Sequence, residues 1–176
     1  RGIYGREALN MNPDADTKDQ AKNFRLFEET ITIMKKAWTQ KFFNHKGEFY
    51  TYPSPKFEWQ HDMSPPSKDF MNTESNILEK ISIVPRPLQK PHPPLWQVVD
   101  GTSSIEWAAK NGINTIMWIP TVKSLKHRFE IYKNARSNVE KKNIKMGEGI
   151  CLVRDMFVAD SMEEAKEKAG EQMVNY

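Results

Sequence analysis

LWQVVDGTSSIEWAAKNG, residues 95–112, is the stretch on which the reading of this chain turns. A short apolar run ends in Asp100 and Gly101. Three hydroxyl residues, Thr102, Ser103 and Ser104, then open a helical pattern that Gly112 closes. A strand that passes through a small, hydroxyl-rich turn into a helix is where many α/β proteins hold a phosphate. The first helical amides are unpaired there, the helix dipole is positive, and a glycine lets backbone approach an anion. The plain alternative is that Thr102 or Ser103 caps the helix, as such residues do generally. Spacing alone leaves both readings open.

Downstream the same alternation continues. A strand over 113–119 leads past Pro120 to a helix over 122–141, with Val122, Leu125, Phe129, Tyr132 and Val139 on one face. A strand over 149–159 leads to a helix opened by Ser161, with Glu164 in capping-box position. Three strand–helix units in succession predict parallel βαβ packing with right-handed crossovers. No G-x-G-x-x-G occurs, so a doubly wound dinucleotide fold has no anchor. The remaining parallel architecture is a (β/α)8 TIM barrel, whose chemistry sits at the C-terminal ends of the strands. Such a barrel takes about 250 residues, more than the 176 present. The chain opens on Arg1-Gly2 and stops at Tyr176 inside a helical pattern, so the expectation is a single-domain fragment, 1–176, of a partial barrel.

Upstream, a helix is expected from Asp16 or Thr17 to Thr39, with Phe24, Phe27, Ile31, Met34 and Trp38 as its buried stripe and Thr17–Gln20 as a capping box. KFFNHKGEFYTY reads as a hairpin around Asn44, His45, Lys46 and Gly47. Nine of the eleven prolines then fall within 53–94, which marks that segment as an insertion without regular period, apart from a short strand over 81–84.

Charge narrows the function classes. The 26 basic and 23 acidic residues leave +3, and the basic ones are scattered, so no nucleic-acid partner is expected. No apolar run approaches the roughly 20 residues of a bilayer span, and no signal-peptide core is present, which predicts a soluble, cytoplasmic protein without a membrane partner. The lone Cys151 is expected as a small buried hydrophobe in its strand. His45, His61, His92 and His127 have no metal-ligand spacing, so no metal is expected. Arg25 has the fork geometry that suits phosphate, but taken alone Arg1 and Arg25 each read first as an ordinary solvated charge or ion-pair partner.

These residues also carry a resemblance. Arg1-Gly2-Ile3-Tyr4, then FRLFEETITIMKKAW, GEFYTYP, VPRPLQKPHPPLW and SSIEWAAKNG resemble the flavin-dependent luciferase-like monooxygenases in order and spacing over nearly the whole chain. The last run is similar to a segment of the bacterial luciferase alpha subunit. The resemblance implies a TIM barrel that binds FMN at its mouth and uses reduced flavin to activate dioxygen. It also implies an FMN phosphate held by Arg1, Arg25 and the turn of Asp100, Gly101, Thr102, Ser103 and Ser104, with Ile3 beside the flavin ring. Read together with the helix start, it favours phosphate over a plain cap.

The chain departs from that pattern in places. Gly101 stands where bacterial luciferase has a serine, and Trp118 is offset by one from the luciferase tryptophan. The N-terminal half of the barrel, with the histidine that family members place against flavin and substrate, lies outside the sequence, so no catalytic residue is assigned. The implied activity is an FMN-dependent monooxygenase acting on a small organic substrate, with reduced flavin from a partner reductase and a homo- or hetero-dimer as the assembly. A deazaflavin-dependent oxidoreductase of the same fold and a non-catalytic flavin-binding protein are the alternatives.

Overall fold

The computed structural model of the protein describes residues 14–16, 18–61, 63–118 and 121–174, the last four as backbone only. The chain divides into two compact units, Arg1–Pro93 and Pro94–Tyr176, and the break falls where the proline-rich stretch ends.

In the first unit, helix α1 spans Gln20–Thr39. Its start is set by Asp19, whose carboxylate accepts from the Lys22 amide at 2.9 Å. An aspartate here satisfies one of the four orphan amides that any helix start leaves. The cap expected at Thr17 falls on a residue outside the described ones. The buried line of α1 is Asn23, Leu26 and Ala37, beside the expected stripe rather than on it. Phe24, Phe27 and Trp38 are half-buried, whereas the short Ala37 is covered outright.

Strand β1, His45–Lys46, pairs antiparallel with β2, Thr51–Tyr52. The tight turn is therefore residues 47–50, closed by the Gly47 amide donating to the Tyr50 carbonyl at 2.9 Å, and not the expected 44–47. A second hairpin, β3 at Met71–Asn72 with β4 at Ile77–Leu78, forms inside the proline-rich segment. The strand expected over 81–84 reduces to one bridge between Ile81 and Phe43. Pro85 and Pro87 follow at once and cannot donate to a ladder.

The second unit is α/β. Strands β5 (Trp96–Val99), β6 (Asn114–Trp118) and β7 (Ile150–Val153) lie parallel and in chain order. They alternate with helices α2 (Thr102–Lys110), α3 (Val122–Glu140) and α4 (Met162–Val174). The last strand is shorter than the expected 149–159, because pairing with β6 ends at Val153. At α4 the Ser161 hydroxyl accepts from the Glu164 amide at 3.1 Å, and the Glu164 carboxylate reaches back to the Asp160 amide at 3.1 Å.

Val99, Thr115 and Met117 face α2 and α3 and are buried, and Ile105, Ala108, Ala109, Ile113, Tyr132 and Ile144 are buried with them. Tyr132 ties helix to sheet by donating to the Ile113 carbonyl at 3.1 Å. On the other face of the sheet Trp96, Val98 and Trp118 remain 49%, 57% and 54% exposed. Cys151 stands in the same alternation and is exposed, which corrects the expected buried position. Its residue parity in β7 puts it opposite Ile116, on the face that α2 and α3 leave open.

Candidate functional site

β5 ends at its buried Val99, and the chain turns through Asp100 and Gly101 into α2. This corner lies at the C-terminal edge of the parallel strands, where α/β folds place ligands. Gly101 is the N-cap, with φ −83° and ψ 156°, a conformation open to any residue, and it supplies no side-chain bond to the helix start. A Cβ at Gly101 would meet nothing within 4 Å, so neither crowding nor backbone strain demands a glycine. Its effect is to leave the first amides of α2 without a side-chain acceptor among the described residues. Gly101, Thr102 and Ser103 are exposed. The expected alternative, a cap from Thr102 or Ser103, is not what caps this helix. Ser104 is committed locally: its hydroxyl donates to the Gly101 carbonyl at 2.7 Å.

The turn also carries the Asp100 carboxylate, with its side chain 93% exposed, and Arg128 from α3 pairs with it at 3.1 Å. Arg128 thus offsets the one negative charge of the turn. Sequence reasoning missed it, because it sits one position off the apolar stripe of α3, where an arginine looks like any solvated charge.

Arg25 stands in the first unit, on the second turn of α1. Its guanidinium forks onto Glu48, Nε to one carboxylate oxygen at 3.0 Å and Nη2 to the other at 3.1 Å, with the two side chains 50% and 52% exposed. That hydrogen-bonded charge holds the Glu48 carboxyl below the usual carboxylate range and raises Arg25 in return. Arg1 and Ile3 lie outside the described residues. Of the expected contacts, the structure therefore gathers Asp100, Gly101, Thr102, Ser103 and Ser104 into one corner and gives Arg25 a carboxylate partner.

A second constellation was not foreseen. Glu29, one turn along α1 from Arg25, points its carboxylate into the β1–β2 turn. It accepts from the Phe49 amide at 3.0 Å and the Tyr50 amide at 2.8 Å, and it meets His45 Nε2 at 2.9 Å. Glu29 and His45 side chains are each only 9% exposed. Burial by itself raises the Glu29 pKa, but the Phe49 amide, the His45 ring and the Tyr50 amide together outweigh it and leave it below the ordinary value. Gly47 is required here, because a Cβ would overlap the Glu29 carboxylate and the His45 ring. The latch fixes the turn that carries Glu48, and so fixes where Arg25 finds its partner. The i, i+4 spacing of Arg25 and Glu29 was the available signal, since it puts both on one side of α1. Among the described residues no cluster of three or more His, Cys, Asp or Glu is placed to hold a metal ion, and no helix is long and apolar enough to cross a membrane.

Comparison with known proteins adds three findings. The model of the luciferase-like monooxygenase family matches residues 6–176. The oxygenase component of the flavin-dependent trigonelline monooxygenase of Acinetobacter baylyi is 29% identical over 177 residues, which is 100% of this chain and 40% of that protein. The chain thus spans about two fifths of the length of that curated relative. Among solved structures, the monooxygenase RslO1 of Streptomyces bottropensis is similar at a TM-score of 0.66 and 17% identity, over 99% of this chain and 45% of that one. The oxygenating constituent of 3,6-diketocamphane monooxygenase of Pseudomonas putida, solved in complex with FMN, gives a TM-score of 0.66 and 17% identity over 97% of this chain and 42% of that one. At that identity the two structures speak for the fold alone.

Proposed function

The chain belongs to the luciferase-like monooxygenase family, and from that premise we propose that it forms the middle and C-terminal-side βα units of a (β/α)8 barrel, as one domain with residues 53–94 inserted. The barrel belongs to an FMN-dependent monooxygenase that oxidises a small organic substrate with dioxygen. Two observations support the barrel. The three strands are parallel and sequential, and the sheet face opposite α2 and α3 is apolar yet open at Trp96, Val98 and Trp118. Parallel sheets are ordinarily buried on both faces, and in a barrel the second face is the packed interior.

The observation that carries the cofactor reading is the uncapped start of α2 at Gly101. A phosphate dianion matches exposed amides, a positive dipole end and neighbouring hydroxyls. The amides that follow Gly101, with the hydroxyls of Thr102 and Ser103, hold the phosphate in this reading. Arg128 holds Asp100 off it, Arg25 exchanges Glu48 for it, and Arg1 and Ile3 complete the phosphate and ring contacts. When bound, reduced FMN supplies the electrons that activate dioxygen. The relative's description as a flavin-dependent oxygenase component supports delivery of reduced flavin by a separate reductase.

The test compares FMN with riboflavin, which lacks the phosphate, in equilibrium titrations of the wild type and Gly101→Asp. Aspartate is a good N-cap, so this variant keeps or gains helix stability while placing a negative charge where the phosphate belongs. The expected result is a strong preference for FMN that Gly101→Asp abolishes, with riboflavin affinity unchanged. Equal binding of the two flavins by the wild type, or unchanged FMN affinity in the variant, overturns the phosphate assignment. Retention of a deazaflavin without FMN affinity moves the protein to the deazaflavin-dependent class.

A further inference from the structure

We propose that the first unit carries a binding site of its own for a small planar aromatic carboxylate, in the cavity walled by Phe42, Trp59 and Phe70 and lined by Lys80. The cavity holds about 440 Å³, within the roughly 300–1,000 Å³ range of small-molecule sites. Its walls are an aromatic corner. Phe42 and Phe70 lie 5.7 Å apart with planes tilted 40°, and Trp59 and Phe70 lie 5.0 Å apart at 59°. Rings so inclined pack edge against face on each other and offer their remaining surface to a flat guest.

The corner is built rather than incidental. Trp59 is oriented by its indole N–H donating to the Ser64 carbonyl at 3.2 Å. The Phe70 carbonyl accepts from the backbone amides of both Glu79 and Lys80 at 2.9 Å, which fastens Lys80 to the residue that forms the middle wall.

An aromatic corner alone would accept either a flat neutral ring or a cation, because ring faces attract positive charge. Lys80 decides between them. Among the described residues no carboxylate pairs with it, and a second ammonium, that of Lys41, already lies 5.1 Å from the Phe42 ring centre. Two positive charges repel a cationic guest and leave an unmatched donor for an anion. A ring that bears a carboxylate uses both features: its faces stack on Trp59 and the phenylalanines, and its charge meets Lys80. Every residue in the argument belongs to the first unit, so the site does not depend on the flavin reading.

Titration of the flavin-free full chain with para-fluorobenzoate, followed by fluorine NMR, tests the proposal. The expected result is saturable binding that weakens by up to about fivefold in Lys80→Gln and persists in Lys80→Arg. The matching cation, para-fluorophenyltrimethylammonium, is expected to bind more weakly than the acid. Absence of saturable binding, equal affinity in Lys80→Gln, loss in Lys80→Arg as well, or a cation bound as tightly as the acid overturns it. FMN titration of the same variants is expected to match the wild type, so failure here and failure of the flavin assignment are read separately.

Discussion

Replacing Glu29 by glutamine tests the latch that shapes the first unit. The carboxylate meets three partners, two backbone amides and His45, at 2.8 to 3.0 Å and with 9% of its side chain exposed. Glutamine keeps the shape but loses the charge, and its amide group must face at least one donor. A charge-assisted hydrogen bond contributes about 1.5–3 kcal/mol and a stranded buried donor costs about 1–3 kcal/mol. The two overlap, which puts the local cost at about 2 kcal/mol or more. Tenfold per 1.4 kcal/mol makes that roughly a thirtyfold shift toward the open turn. Hydrogen exchange of the Phe49 and Tyr50 amides in the full chain, read at neutral pH, is the assay. Wild-type protection retained in Glu29→Gln would refute the reasoning. The pH dependence follows from the same bonds. Because the folded-state pKa of Glu29 is lowered, its contribution is fully present above the unfolded carboxyl value of about 4.3 and is lost as pH falls through the folded value. Glu29→Gln should lack that acid-side loss.

Three further outcomes follow from other contacts. Arg25→Ala should weaken FMN binding about tenfold or more, whereas Glu48→Gln, which releases the guanidinium from its present partner, should strengthen it. Opposite or absent effects in isothermal titration remove Arg25 from the phosphate site. Gly149→Ala should lower the thermal midpoint by the equivalent of about 2 kcal/mol or more, since φ is +76° and the new Cβ would stand 2.7 Å from the Tyr132 hydroxyl and 2.9 Å from Asn114 Oδ1. Thr115→Val should leave stability unchanged or raise it by about 1 kcal/mol, because the fully buried Thr115 hydroxyl has no partner among the described residues; a lowered midpoint would reveal one.

Much of the second unit was legible in the residues because its signals are local. Alternation of apolar runs with 3.6-period segments, Gly112 after α2 and Ser161 before α4 each act within a few residues, so the strand–helix order could be read without knowing what packs on what. The corner after β5 was legible for the same reason, since a glycine at the N-cap is a statement about one turn of backbone. The first unit was less so. Its hairpin shifted by a few residues because the turn is held by a side chain sixteen residues before His45, and no window of local sequence contains that contact.

The sequence by itself determined the parallel α/β alternation, the family and the glycine-led helix start at Gly101, because periodicity, caps and turn chemistry are short-range. Tertiary structure alone decided that Arg128 neutralises Asp100, that Glu29 gathers His45 and two amides into a latch, and that Lys80 stands beside an aromatic corner with no carboxylate paired to it among the described residues. Each of these depends on which charges meet across elements, and a charge carries no periodicity that would announce its partner.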